Sequence, residues 1–424
     1  MEKFIICGGI PLNGDVAISG MKNSALPIIF GTILTKGTCT ISNLPDISDV
    51  KDSLAILQSI GASVRFIDTN TAIIDTSGVV TDKTPPLELV SKIRASYYLW
   101  GTMLGRFNQA LVGHPGGCDF GGGRPIAQHL KSLAMLGAKY SYESNAAISL
   151  TAPNGIKGAS IYLDIASVGT TINVMYAAAV ADGVTVIENA AREPHIVDTA
   201  CFLNACGAKI MGAGTTTIRI TGVKKLKGCS YSIAPDMIEA GTYMIAGAIT
   251  GGKVRVTNVI PKHLDYITRK LTEANVPIEI GDSHITVGPV SELKGTPIKA
   301  NPYPGFPTDM QPQFSALMTL AKGVSDISDG IYSSRYKYTD HLINMGAKIT
   351  KDAEKGSLTI FGVSELTGAT VKAPDLRGGA ALILAGLAAK GITTVTNIVL
   401  VERGYDHIIE KLRSLGANIK REKI

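Results

Sequence analysis

Apolar and polar positions along this chain follow a pattern that recurs. Stretches with apolar residues at i, i+3 and i+4, such as DHIIEKLRSL, predict amphipathic helices. After each comes a cap, usually Gly-Ala, and then a short β-rich run: LQSIGASV, SLAMLGAKY, FLNACGAKI, LTEANVPI, HLINMGAKI and KLRSLGANI. The anchor residues are Gly61, Gly137, Gly207, Asn275, Gly346 and Gly416, spaced by roughly 70 residues. Gly or Asn just past a helix is the expected left-handed cap. A second, nearly all-apolar helix precedes each amphipathic one, as in ALPIIFGTIL or AALILAGLAA. A strand such as GVTVIEN or GITTVTN joins the two. The unit is of αβαββ type, with mixed sheets rather than the regular alternation of a doubly wound domain. Six such units account for the whole chain.

The sixth unit ends at ANIKREKI, without its strand–turn–strand half. The N-terminus carries a spare copy, FIICGGIPLNGDVAIS. The two termini are therefore expected to complete one unit together, with another domain inserted between them. The alternative is an open solenoid, but such arrays carry polar capping repeats, and none is visible here.

Composition narrows the class. Hydrophobic residues make up 45% and charged residues 18%, which excludes a disordered chain. The net charge of +6 suits small anionic substrates rather than nucleic acid. A single Trp, Trp100, argues against base-stacking platforms. No uncharged apolar run approaches the ~18 residues of a membrane span. The N-terminus lacks the h-region of a signal peptide, so a cytoplasmic location without a membrane partner is expected. Six cysteines form no CxxC pair, and seven histidines show no paired spacing. Neither a zinc site nor a disulfide framework is expected, and nothing calls for a metal or an organic cofactor.

Candidate chemistry gathers where the apolar helices begin. These entries hold Lys22 and Asn23, Arg94, Ser167 to Thr171, Asp236 and Glu239, Asp309, and Asp375 with Arg377. Free backbone N–H groups and the positive dipole end make helix starts anion sites. Ordinary capping explains Asp236 and Asp375 equally well. Lys22, Arg94 and Arg377 are harder to dismiss, because cations are disfavoured there unless an anion is expected. The segment HPGGCDFGGGRP places Cys118, Asp119 and Arg124 among five glycines, a composition suited to a phosphate cradle or a lid. In NPYPGFPTDMQPQF, the three prolines ahead of Asp309 set it rigidly at a helix start, as a cap or as a general base. Arg403 sits in the last strand-to-helix loop.

Taken in order, these motifs resemble the enolpyruvyl transferase family. The likeness runs from GGIPLNGDVAISGMKNSALP to ERGYDHIIEKLRSLGANI, through ENAAREP, FPTDMQ and DLR. It implies a two-domain inside-out α/β barrel with three units per domain: residues 22–232 inserted, and 1–21 with 233–424 forming the other, with the active site in the interdomain cleft. It implies transfer of an enolpyruvyl group from phosphoenolpyruvate to the 3-hydroxyl of UDP-N-acetylglucosamine, releasing phosphate, at the first committed step of peptidoglycan synthesis. The alternatives are a paralogue with another acceptor alcohol and a non-catalytic ligand-binding relative. By the same resemblance Lys22, Asn23, Arg94, Arg124, Arg335, Arg377 and Arg403 contact phosphoenolpyruvate. Asn23, Arg94, Arg124, Pro125, His129, Ser167, Val168, Gly169, Asp309 and Ile331 line the UDP-sugar site. Lys22 takes part in catalysis, Asp309 serves the hydroxyl being deprotonated, and Cys118 is the general acid. The family loop has four residues between Cys and Arg, but five separate Cys118 from Arg124 here, so Asp119 also fits the acid position. The chain also departs from the family pattern at Ile165, His195, Met237 and Ser333.

Overall fold

The computed structural model describes residues 2–117, 126–143, 147–352 and 354–423. All six anchor positions adopt the left-handed conformation expected of them. Gly61, Gly137, Gly207, Gly346 and Gly416 have φ between 96° and 108°, and Asn275 has φ 64°. Each cap stops an amphipathic helix and turns the chain into a strand.

Every αβαββ run but one pairs with a further short strand lying parallel to its first. Ser160–Tyr162 runs parallel to Val184–Glu188, which pairs antiparallel with Thr217–Thr221, and that strand with Lys209–Met211. Five sheets share this four-stranded order. The sixth, Gln109–Gly113, Ala147–Thr151 and Lys139–Tyr142, has three strands among the described residues. The segment SLTIFGVSELTGATVKA shows where the extra strand comes from. Ser357–Phe361 closes one sheet, and Thr370–Lys372 opens the next.

The termini meet as expected. Glu2–Cys7 lies between Ile392–Thr396 and Asn418–Lys423, antiparallel to both, with Ile5 opposite Thr394 and Lys420. Asn13–Ala17 then runs parallel to Lys253–Thr257. A matching closure joins Ser230–Ser232 to Thr38–Ser42. The chain divides into two units, residues 20–117 with 126–143 and 147–234, and residues 2–19 with 235–352 and 354–423.

In each unit the apolar helices are inside and the sheets outside. Lys22–Gly31, Tyr98–Phe107 and Val168–Ala179 pack together in one; Met237–Ile249, Gln311–Met318 and Leu376–Ala388 do so in the other. All thirteen residues of Met237–Ile249 are buried. A helix apolar on every side is stable only when enclosed, which is why the amphipathic helices lie further out. Small residues allow the close approach. A Cβ on Gly101 would sit 2.5 Å from the Asn173 carbonyl oxygen. Gly101 N–H instead donates to Asn173 Oδ1 at 2.9 Å.

Candidate functional site

In the unit that holds both termini, a carboxylate is gripped by two buried guanidiniums. The turn Thr308–Met310 precedes the helix Gln311–Met318 and carries Asp309. Arg335 Nη1 donates to Asp309 Oδ1 at 2.8 Å. Arg377 donates to Oδ2 through Nε at 3.3 Å and Nη2 at 3.2 Å. The side chains of Arg335 and Arg377 are 2% and 1% exposed, against 26% for Asp309. The helix N-cap is Met310, and the Asp309 carboxylate faces the arginines.

The neighbouring acids divide the work. Asp375 caps Leu376–Ala388, accepting from Arg377 N–H at 3.0 Å and Gly378 N–H at 3.1 Å, so the capping reading holds for it. Its carboxylate also lies 3.7 Å from Arg335. Asp329 accepts from the Thr308 hydroxyl at 2.6 Å and from the N–H groups of Ile331 and Tyr332. The turn bearing the exposed Ile331 is thereby tied to the turn bearing Asp309. Arg377 stacks over the Tyr405 ring at 5.2 Å. Tyr405 is itself fixed by Thr242 at 3.0 Å and Gln313 at 3.1 Å. Burial works against the charge on Arg377, but Tyr405, Asp309 and Asp236 outweigh it and hold the pKa above its ordinary value. A burial penalty on Arg335 is likewise overcome, by Asp309 and Asp375. Both arginines are fixed cations at any working pH. Arg403 is half-buried in the loop before Tyr405.

A second charged group in this unit gathers at the helix entry that holds Asp236 and Glu239. Asp236 caps Met237–Ile249, and Glu239 in its first turn is 2% exposed. Glu239 pairs with Lys411 at 2.6 Å and accepts from Ser19 N–H at 2.8 Å. The Ser19 hydroxyl donates to Asp406 at 2.7 Å. Burial pushes the Glu239 carboxyl up from 4.5 to about 7, against the pull of Lys411. Only the proximity of Asp236 and Glu239 was visible beforehand. The partners of Glu239, Ser19 and Lys411, come from more than 160 positions away.

In the other unit, Lys22 begins Lys22–Gly31, where the N-cap Met21 contributes no side-chain hydrogen bond. Its ammonium lies 2.7 Å from Asp49, a buried partner that the sequence reading missed. Asn23 is half-buried beside it in sequence. Arg94 begins the turn Arg94–Tyr97 and lies over the Tyr97 ring at 5.7 Å. Tyr97 in turn packs on His129 at 4.8 Å. Burial, with a smaller push from Arg94, holds His129 down at about 3. His129 is thus a neutral ring near pH 7. Because Gly101 N–H fixes the Asn173 amide, its nitrogen faces His129 Nδ1 at 2.9 Å, leaving the ring proton on Nε2.

Ser167, Val168 and Gly169 join this group at a helix start. Ser167 accepts from Thr170 N–H at 3.3 Å. A Cβ on Gly169 would fall 2.7 Å from Tyr97 Oη and 2.8 Å from His129 Cε1, so only glycine allows the contact. Gly116 and Gly117 press against the chain leading to Arg94. A Cβ on Gly116 would sit 1.6 Å from Ser91 O, and one on Gly117 2.9 Å from Arg94 Cβ. Arg94, His129 and residues 167–169 are therefore neighbours. Cys118, Asp119, Arg124 and Pro125 lie outside the described residues.

The family model for EPSP synthase (3-phosphoshikimate 1-carboxyvinyltransferase) matches residues 6–412. The chain belongs to the EPSP synthase family. Within it, the chain is 50% identical over 421 residues to UDP-N-acetylglucosamine 1-carboxyvinyltransferase 3 of Caldanaerobacter subterraneus subsp. tengcongensis, covering 99% of both chains. It is 51% identical to UDP-N-acetylglucosamine 1-carboxyvinyltransferase of Clostridium botulinum, covering 99% of this chain and 100% of that one. The crystal structure of the enolpyruvyl transferase NikO from Streptomyces tendae has the same fold, at TM-score 0.90 over 100% of this chain and 99% of that chain, with 24% identity.

Two of the four departures from the family pattern are interior and two are on the surface. His195 and Met237 are buried, whereas Ile165 and Ser333 are exposed. Gln128 brackets Ile165, accepting from its N–H at 3.1 Å and donating to its carbonyl at 2.8 Å. Among the described residues no helix is long and apolar enough to cross a membrane. Cys39, Cys206 and Cys229, which no sequence motif links, come together.

Proposed function

We propose that this EPSP synthase family member transfers the enolpyruvyl group of phosphoenolpyruvate to the 3-hydroxyl of UDP-N-acetylglucosamine, releasing phosphate, in the first committed step of peptidoglycan synthesis. Identity of 50–51% over nearly the full length with relatives of that name carries the reading. The trio Asp309, Arg335 and Arg377 supports it chemically. Addition–elimination at C2 of the donor needs cations for phosphate and carboxylate, a base for the attacking hydroxyl and an acid for the methylene carbon. Arg335 and Arg377 are permanently charged, and an arriving anion that takes up their N–H groups releases Asp309 to accept the hydroxyl proton. Lys22, Arg94, Arg124 and Arg403 supply the remaining charge. Asn23 belongs to both substrate sites. Pro125, His129, Ser167, Val168, Gly169 and Ile331 contact the nucleotide sugar, with His129 acting as a neutral hydrogen-bonding group. The reaction belongs in the cytoplasm, where free thiols such as Cys39, Cys206 and Cys229 persist.

Purified protein given both substrates is expected to release phosphate and form the enolpyruvyl nucleotide. Phosphate release only with another alcohol would select a paralogue; none with any acceptor would select a ligand-binding relative. The acid is tested separately. Cys118→Ser and Asp119→Asn are compared for turnover, and the true acid is the one whose loss costs about 100-fold or more. A turnover drop with Asp119→Asn alone would remove the role from Cys118.

A further inference from the structure

Three thiols meet in the inserted unit without any motif to announce them. Cys39 lies in the strand Thr38–Ser42 and is 0% exposed. Cys206 ends the helix Pro194–Ala205 and is 1% exposed. Cys229 immediately precedes the closing strand Ser230–Ser232 and is half-buried. Backbone hydrogen bonds hold the three segments in place: Thr40 N–H donates to Cys229 O at 2.9 Å, and Lys227 N–H to Cys206 O at 2.8 Å.

The sulfurs all lie within 4.8 Å of one another, and Cys206 and Cys229 are 3.3 Å apart. Metal–thiolate bonds of about 2.3 Å require sulfurs about 4 Å apart in a trigonal or tetrahedral set. That spacing falls inside the observed range, so small rotations of the side chains complete the triangle. We propose that Cys39, Cys206 and Cys229 form a thiolate site for a soft d10 metal ion, Zn(II) or Cu(I).

Ligand chemistry supports the choice. A purely sulfur set selects soft ions over Mg(II) or Ca(II). Cu(I) is satisfied by three thiolates; Zn(II) takes a fourth ligand from water, which the half-buried Cys229 leaves room to enter. The thiols bind as thiolates, their protons going to solvent as the cation supplies the compensating positive charge. Bare buried cysteines would serve as small apolar side chains with no need to converge from three separate segments. A bound ion ties the strand that closes the unit to both its neighbouring strand and the helix before it, so it acts as a structural pin.

The test uses the full chain, reduced with a phosphine. Cd(II) is the divalent probe and Cu(I) the monovalent one. We expect one ion per chain, a thiolate-to-metal charge-transfer band, a raised melting temperature, and three sulfurs around the ion by X-ray absorption. Added oxygen ligation with Cd(II), as for Zn(II), but not with Cu(I) is expected. Cys39→Ser, Cys206→Ser and Cys229→Ser should each abolish the band, whereas Cys7→Ser, Cys118→Ser and Cys201→Ser should retain it. The sulfur count on the unmutated chain keeps the test valid even if a variant misfolds. Fewer than three sulfurs, a band that survives loss of Cys39, or a Cys206–Cys229 disulfide forming instead would overturn the site.

Discussion

Asp309→Asn is expected to lower kcat by about 10²- to 10⁴-fold, the range for loss of a positioned general base. The amide keeps the shape of the side chain but not its charge or its ability to take a proton. The same change unbalances the site. Arg377, almost fully buried, loses its ion pair with Asp309, and Arg335, equally buried, keeps the longer pair with Asp375 at 3.7 Å. Removing one partner of a buried pair typically costs about 3–5 kcal/mol, because the other charge stays behind. Thermal melting should therefore fall as well. The two effects are separated by measuring phosphate release below the lowered melting temperature. An unchanged kcat there would remove Asp309 from the chemistry and leave it a purely electrostatic partner of the arginines.

Glu239→Gln is expected to remove a pH-dependent weakness of the fold. The Glu239 carboxyl titrates near 4.5 when exposed and at about 7 in the folded chain. Between those values the native state holds a proton that the unfolded chain has released. Raising the pH through this window therefore destabilises the native state, and above about 7 the penalty is constant. A shift of this size corresponds to about 2–3 kcal/mol of stability lost between roughly pH 5 and 8. Gln does not titrate, so the parent should lose that much relative to the variant over the same interval. Denaturant unfolding of both proteins at the two pH values gives the difference directly, and other titrating groups cancel. A parent whose relative stability rises with pH would show that Lys411 dominates and that the carboxyl is held down instead.

Much of the architecture was legible because it depends on local rules repeated six times. The caps at Gly61, Gly137, Gly207, Asn275, Gly346 and Gly416 need a left-handed residue, and only Gly or Asn takes that conformation cheaply. The missing half-unit at one end and the spare one at the other foretold the pairing of Glu2–Cys7 with Asn418–Lys423. The extra parallel strands were harder to see. Ser160–Tyr162, Ser230–Ser232 and Thr370–Lys372 have three residues each, too few to carry a periodic signal.

Candidate site residues were legible as types in unusual places, since a cation at a helix start asks for an anion. Their partners were not. Asp49 for Lys22, Lys411 for Glu239 and the convergence of Cys39, Cys206 and Cys229 join segments with no shared motif. The amino-acid sequence by itself determined the repeat, its caps, its closure and the residues able to bind anions, because each depends on neighbours within a few positions. Only the tertiary structure decided which charges are paired and buried, that His129 is neutral, and that three scattered thiols share one site. Those properties depend on distance and desolvation, and both arise only when remote segments pack together.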